Sequence, residues 1–258
     1  MIGVIWLIKV CIINKKGGVA KTTTALAIAA GLIQKGKKVL SIDLDSQCNL
    51  TMCSEAQLDG KNVLGVLLEQ VSIEEAIQTT PMGDVLPACL ALAGADGVIT
   101  ETGKEYRLRE ALTSIEDKYD YAIIDTPPSL GVLSINAMTA ADWIVIPAQA
   151  DIFSRDGLMQ LARAIDKDRK YCNKNLKIAG IVLTRYSDRN ILSRNLRKTY
   201  DEIAEQMGTK VLNSTIRENI AIKEAQVMHQ TIFDYDKNSN GANDYRNLVN
   251  ELVKLIEG

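Results

Sequence analysis

Nine residues, Lys15-Lys16-Gly17-Gly18-Val19-Ala20-Lys21-Thr22-Thr23, place a glycine pair among three lysines and two threonines. Adjacent glycines let a backbone wrap closely around an anion, with successive N–H groups pointing inward. The stretch follows an apolar run, Val10-Cys11-Ile12-Ile13, and opens a helix-forming run from Thr24. A helix starting there adds its positive dipole end to the same spot. In that setting Lys21 reaches the β- and γ-phosphates of a nucleotide, and the Thr22 hydroxyl holds Mg²⁺. The chemistry is that of a phosphate-binding loop. It departs from the common pattern G-x-x-x-x-G-K-[ST], which has glycine where this chain carries Lys15 and Ala20. Ala20 is expected in a right-handed or extended conformation, because alanine at positive φ carries strain. The departure also adds Lys16 beside the glycines, a second cation that one phosphate-binding lysine does not account for.

A second cluster points to the same chemistry. Tyr121-Ala122-Ile123-Ile124-Asp125 reads as a buried strand ending in a carboxylate, followed by Thr126-Pro127-Pro128-Ser129. An aspartate closing an apolar strand near a phosphate loop holds Mg²⁺ through water.

Elements must bring these two together. Residues 22–36 have apolar positions at helical spacing and end at Gly36, and residues 9–14 and 38–43 read as flanking strands. A strand, a helix and a strand make a right-handed βαβ unit, which builds a parallel sheet with ligands at the strands' carboxyl ends. Further strands are expected over 121–125, 143–147, 178–184 and 211–213, with helices over 157–171, 190–207 and 245–256. Residues 46–103 are less patterned. Short helices are expected at 62–70 and 72–78, a brief strand at 84–87, and loop at 91–103, before a helix over 106–119. The expected fold class is α/β: a P-loop NTPase with a mostly parallel twisted sheet and helices on both faces. Regular alternation without repeats or linkers predicts one domain over 1–258, with residues 1–8 as an apolar lead-in and no amino-terminal helix-turn-helix domain.

Composition narrows the class. The chain has 258 residues, 47% hydrophobic and 24% charged, with a formal net charge of -2. That is the balance of a globular protein, and any basic surface must be local. Five scattered cysteines and no cleavable signal imply reduced thiols in the cytoplasm. A single histidine, His229, gives histidine-based catalysis no material and is expected at a helix end or on the surface. The apolar start is interrupted by Lys9 and falls short of the roughly 20 residues that a membrane span needs.

Three motifs together resemble the ParA/Soj partition ATPases, the deviant Walker A class that includes MinD: Lys-Gly-Gly-x-x-Lys-Thr-Thr at 16–23, Asp43-Leu44-Asp45-Ser46-Gln47, and Ile124-Asp125-Thr126-Pro127-Pro128-Ser129-Leu130. The likeness continues through Asn136-Ala137, Ala141-Asp142, Pro147-Ala148-Gln149 and residues 216–225, and is weakest over 52–103. The resemblance implies ATP/ADP and Mg²⁺ as cofactors and an ATP-dependent homodimer. It matches Lys16 to the lysine that crosses the dimer to the partner's phosphates, and residues 16–23, including Gly17, Gly18, Val19 and Ala20, to the phosphate cradle. Lys21 matches the phosphate-loop lysine, Thr22 the Mg²⁺ ligand and Thr23 an α-phosphate contact. Asp45 matches the aspartate that orients the attacking water, Asp43 lies near the metal, and Asp125 matches the aspartate behind it. Asn219 and Arg217 match the adenine-contacting segment, although Arg217 replaces a usual proline.

The same resemblance implies nonspecific DNA binding and a ParB-like centromere-binding activator that stimulates hydrolysis, in a cytoplasmic protein associated with the nucleoid when ATP is bound. Arg189 matches a DNA-contacting arginine, and Arg185, Arg194, Arg197, Lys198 and Lys223 gather in the same third of the sequence. Glu218 and Ala221 stand where the family often carries further arginines. Two related readings fit less well. A MinD-like protein needs a basic amphipathic carboxyl-terminal helix, whereas residues 245–257 carry Glu251 and Glu257 against Lys254. An iron–sulfur reductase-type ATPase needs a cysteine from each subunit on both sides of a dimer axis, and Cys89 and Cys172 fall elsewhere.

Overall fold

The computed structural model describes residues 7–149, 154–187 and 191–258. Its strands are β1 (Ile8–Ile12), β2 (Val39–Asp43), β3 (Gln78–Thr80), β4 (Gly83–Leu86), β5 (Tyr121–Asp125), β6 (Trp143–Gln149) and β7 (Lys177–Thr184). They form one sheet in the order β3-β4-β2-β5-β1-β6-β7, and only the β3–β4 pair is antiparallel. The longer helices are α1 (Lys21–Gln34), then, after α2 (Asn49–Cys53), α3 (Val63–Leu67), α4 (Ile73–Ala76), α5 (Ala95–Val98) and α6 (Arg107–Thr113), α7 (Val132–Ala140), α8 (Ser154–Tyr171) and α9 (Ile191–Gln206). The chain closes with α10 (Ile220–Val227), α11 (Ile232–Tyr235) and α12 (Asn240–Glu257).

Alternation along β1 explains the layers. Side chains in a strand point to opposite faces. Val10 and Ile12 join a cluster with α1 and α12, while Cys11 and Ile13 join one with residues of α7, α8 and α9. Both faces are therefore apolar, as a central parallel strand requires. The carboxyl-terminal helix is core: Tyr245, Leu248, Val249 and Leu252 are buried. It lies so close to α1 that a Cβ on Gly31 would meet Val249 Cγ2 at 2.8 Å. No described helix is long and apolar enough to cross a membrane.

Several boundaries differ from the sequence reading. The lead-in ends earlier than residue 8, because Leu7 is buried and Ile8 opens β1; residues 1–6 lie outside the described residues. Residues 91–103 are not all loop, since a 3₁₀ turn at Leu90–Gly94 leads into α5. The helix expected over 106–119 is shorter, ending at Thr113. The strand expected at 211–213 is a single bridge, Ile181 to Val211.

One buried acid sits away from the loop. Asp168 on α8 is 4% exposed; its Oδ1 accepts the Thr139 hydroxyl at 3.0 Å, and Oδ2 has no hydrogen-bond partner among the described residues. Burial pushes its carboxyl up to about 6, against the pull of Thr139 and Arg109. The folded state therefore holds a proton that the unfolded chain releases. The group's contribution is fully present below about pH 4 and is lost as pH rises through 6. Asp168→Asn is expected to be more stable than the parent by about 1–3 kcal/mol at pH 8, with no advantage at pH 4. Urea titrations at the two pH values measure this directly.

Candidate active site

Register brings the motif residues together. Asp125 is paired with Ile12 on one side and with Asp43 on the other, so β1, β2 and β5 end level with one another. The loop leaving β1 passes over these carboxylates before α1 begins. Gly18 has φ 73°, a conformation that favours glycine. Gly17 has room to spare, since a Cβ there would sit 4.0 Å from Pro128 Cβ.

Ala20 corrects the sequence expectation. Its φ and ψ are 67° and 34°, left-handed, at the N-cap of α1, and its carbonyl accepts the Thr24 N–H at 2.9 Å. The loop adopts this conformation with alanine in place, so alanine holds a strain that the standard glycine lacks. Ala20→Gly is expected to raise stability by about 0.5–1 kcal/mol, the left-handed penalty less the extra entropy of the unfolded glycine. Chemical denaturation of the two proteins tests it.

The loop is held from outside the motif. Asn14, buried at the end of β1, donates to the Pro147 carbonyl at 2.8 Å and accepts the Lys16 N–H at 3.0 Å. Thr184 Oγ1 donates to the Val19 carbonyl at 3.2 Å, and Gln226 Nε2 to Thr23 Oγ1 at 3.1 Å. These supports went unrecognised in the sequence. Asn14 alone left a signal, as a polar residue at the end of an apolar strand.

Lys21 is 7% exposed, and its Nζ donates to the Lys16 carbonyl at 3.3 Å. Burial lowers its pKa, while Asp125 and Asp45 pull the other way. Thr22 Oγ1 donates to Asp125 Oδ2 at 2.6 Å, whereas Asp125 Oδ1 is buried with no partner among the described residues. Burial and the neighbouring Asp43 push the Asp125 carboxyl well above the usual range, opposed by Thr22 and Lys21. An orphaned carboxylate oxygen beside a hydroxyl, in a site crowded with acids, fits a divalent cation. No three His, Cys, Asp or Glu among the described residues are arranged to ligate a metal together.

Two aspartates, Asp43 at the end of β2 and Asp45 just past it, have different surroundings. Asp43 accepts the Asp45 N–H at 3.0 Å on Oδ1, and the Thr51 N–H and hydroxyl at 2.9 and 2.8 Å on Oδ2. Three donors occupy most of its acceptor capacity, so Asp43 braces the segment carrying Asp45. Burial pushes its carboxyl up to about 6 in spite of those bonds. Asp45 lines the open cleft and accepts the Gln47 N–H at 3.0 Å.

That cleft encloses about 700 Å³, bounded by Gly17, Gly18 and residues 20–23 at one end and residues 216–219 of the far wall at the other. Asn219 caps α10 by accepting the Ala221 N–H at 2.9 Å, and Arg217 is paired with Asp244. Lys16 is half-buried and its side chain is not among the residues lining the cleft.

The expected basic cluster divides. Arg185 and Lys223 line the cleft, and Lys223 pairs with Glu218 at 3.5 Å. Arg194 and Lys198 are exposed on α9, while Arg197 donates to the Leu212 carbonyl at 3.3 Å. Arg189 lies outside the described residues. His229 is exposed just past α10, as expected.

A glycine-rich loop between a central parallel strand and a helix, with a strand-end aspartate beside its threonine, defines a P-loop nucleotide-binding protein. An AAA domain family model matches residues 8–178. The sporulation initiation inhibitor protein Soj of Bacillus subtilis is 36% identical over 250 residues, covering 95% of this chain and 97% of that protein. The chromosome partitioning protein ParA of Caulobacter vibrioides is 38% identical over 252 residues, covering 94% and 92%. A crystal structure described as cobyrinic acid a,c-diamide synthase from Mycobacterium smegmatis, with a bound ATP analogue and magnesium, superposes with a TM-score of 0.85 at 33% identity, covering 98% and 96%. The chain belongs to the ParA/Soj family of chromosome-partitioning ATPases.

Proposed function

We propose that the protein binds ATP with Mg²⁺ in this cleft, pairs with a second copy on doing so, and positions a DNA-linked cargo until hydrolysis separates the pair. The observation that carries the reading is the geometry at the loop: Lys21 and the α1 N-terminus face a cleft whose far wall carries Arg217 and Asn219. Thr22 and Asp125 would hold Mg²⁺, which when bound offsets charge on the phosphates. Lys21 steadies the β- and γ-phosphates, Thr23 meets the α-phosphate, and Asp45 orients the attacking water. With its Oδ1 taken by the Ala221 N–H, Asn219 presents its NH₂ group as the donor toward the base. The Lys16 side chain is not among those lining the cleft that Lys21 serves, and the family resemblance matches it to the lysine that reaches the neighbour's phosphates.

DNA contact rests on Arg194 and Lys198, exposed on α9, with Arg189 as the family match, and a ParB-like activator accelerates release. The protein is cytoplasmic and nucleoid-associated in its ATP state. A MinD-like membrane role finds no support in α12, whose apolar residues are committed to α1 and the sheet. The test is retention of nonspecific DNA by the purified protein with ATP, with ADP and without nucleotide, across a salt series. Retention that requires ATP and falls steeply with salt is expected; retention indifferent to nucleotide contradicts the reading.

A further inference from the structure

Arg217 is unusual among the residues of the cleft because a helix from the far end of the sequence fixes its direction. Its backbone N–H donates to Asp244 Oδ2 at 3.0 Å, its Nε to the same oxygen at 2.9 Å, and its Nη2 to Asp244 Oδ1 at 2.6 Å. Three donors on one carboxylate leave the side chain no freedom about its long axis. The Asp244 side chain is 8% exposed, whereas that of Arg217 is 48% exposed. One edge of the guanidinium is therefore sealed into the protein while the remainder stays open, and the residue lines the cleft.

The anchor is itself rigid. Asp244 lies in α12 next to Tyr245, which is fully buried with its hydroxyl 3.4 Å from Thr24 Oγ1 in α1. One turn earlier, a Cβ on Gly241 would meet Ile222 Cγ1 at 2.7 Å and Asn219 Cβ at 3.6 Å, so α12 presses directly on the first turn of α10. The carboxylate thus ties the cleft wall to α12, which is packed on α1, the helix that opens with Lys21 and Thr22.

From this arrangement we infer that Asp244 is a positioning residue that holds the Arg217 guanidinium as a flat wall for the purine base of the nucleotide. The inference rests on the proposed reading of the cleft as an ATP site. A guanidinium bridged by a carboxylate loses much of its pull on phosphate, which Lys21 serves at the other end. It keeps its planar faces, because the bidentate bonds lie in the plane, and those faces stack on aromatic rings. Ile216, Asn219 and Ile222 also line the cleft and add apolar contact and one amide. Lysine in this place could not reproduce the fork.

Calorimetric titration of the full chain with ATP and, separately, with inorganic tripolyphosphate tests the inference, because tripolyphosphate offers the phosphates without a base. Asp244→Asn and Arg217→Lys are each expected to weaken ATP about tenfold while binding tripolyphosphate as the parent does. The double variant should bind ATP no more weakly than Arg217→Lys alone, since both act through one pair. Thermal melting of each variant identifies any that fails to fold, and Arg217→Lys, which keeps the charge, then carries the test. Parent protein that binds ATP while a folded variant binds it equally well overturns the inference alone. So does a variant in which ATP and tripolyphosphate weaken together, because the pair then acts on the fold or the phosphates. Parent protein that fails to bind ATP overturns the proposed function and the inference with it.

Discussion

Lys16→Ala is expected to leave ATP affinity within about twofold of the parent while cutting hydrolysis by about 10³-fold, the scale of a charge supplied in trans to a phosphoryl transition state. Affinity is spared because Lys16 serves its own cleft through its backbone. Its carbonyl accepts Lys21 Nζ, and its N–H is held by Asn14 Oδ1. Alanine keeps both contacts. The ammonium is what disappears, and its side chain is not among those lining the cleft of its own subunit. Rate should therefore fall together with ATP-dependent pairing, while ATP titration of the isolated subunit changes little. Preorganised charge aimed at a developing anion gives large effects of this kind.

The second large effect is expected at Asp45. Asp45→Ala should bind ATP normally and hydrolyse it about 10²–10³-fold more slowly, as befits loss of a group that orients water or takes its proton. The substitution is structurally mild, since among the described residues its Oδ1 holds only the Gln47 N–H. The path of this segment is set instead by Asp43, whose two oxygens take three donors. The ATP-bound pair should consequently persist. Single-turnover hydrolysis and light scattering on one sample measure both. Asp45→Ala protein that turns over at the parental rate would remove the aspartate from the chemistry.

The residues themselves show how far a sequence reaches here. The βαβ unit at 9–43 and the strand at 121–125 were legible because short apolar runs suit a sheet buried on both faces, and two of the three end in aspartate. The phosphate loop was legible because backbone chemistry demands glycine and lysine at fixed spacing. Gln78-Thr79-Thr80 was missed as a strand, being a polar edge that pairs with only one neighbour. Val132–Ala140 is nearly all buried and so lacks the amphipathic period that announces a surface helix. Ala20 was misread because strain argued from residue type gave way to the path that the loop must follow. The Arg217–Asp244 pair spans 27 positions and two helices, and no local pattern encodes it. The basic residues of the last third share a region of sequence, but β7, α9 and α10 carry them to different places.

Mixing two inactive variants tests most directly whether the loop is half of a shared site. Lys16→Ala protein keeps a working cleft but offers no lysine to its partner. Lys21→Ala protein has a crippled cleft but still offers Lys16. Equimolar mixing should restore ATP hydrolysis well above the sum of the separate proteins, because the intact cleft of one subunit then receives Lys16 from the other. A mixture no faster than that sum, or Lys16→Ala protein that hydrolyses ATP at the parental rate while monomeric, would contradict the account.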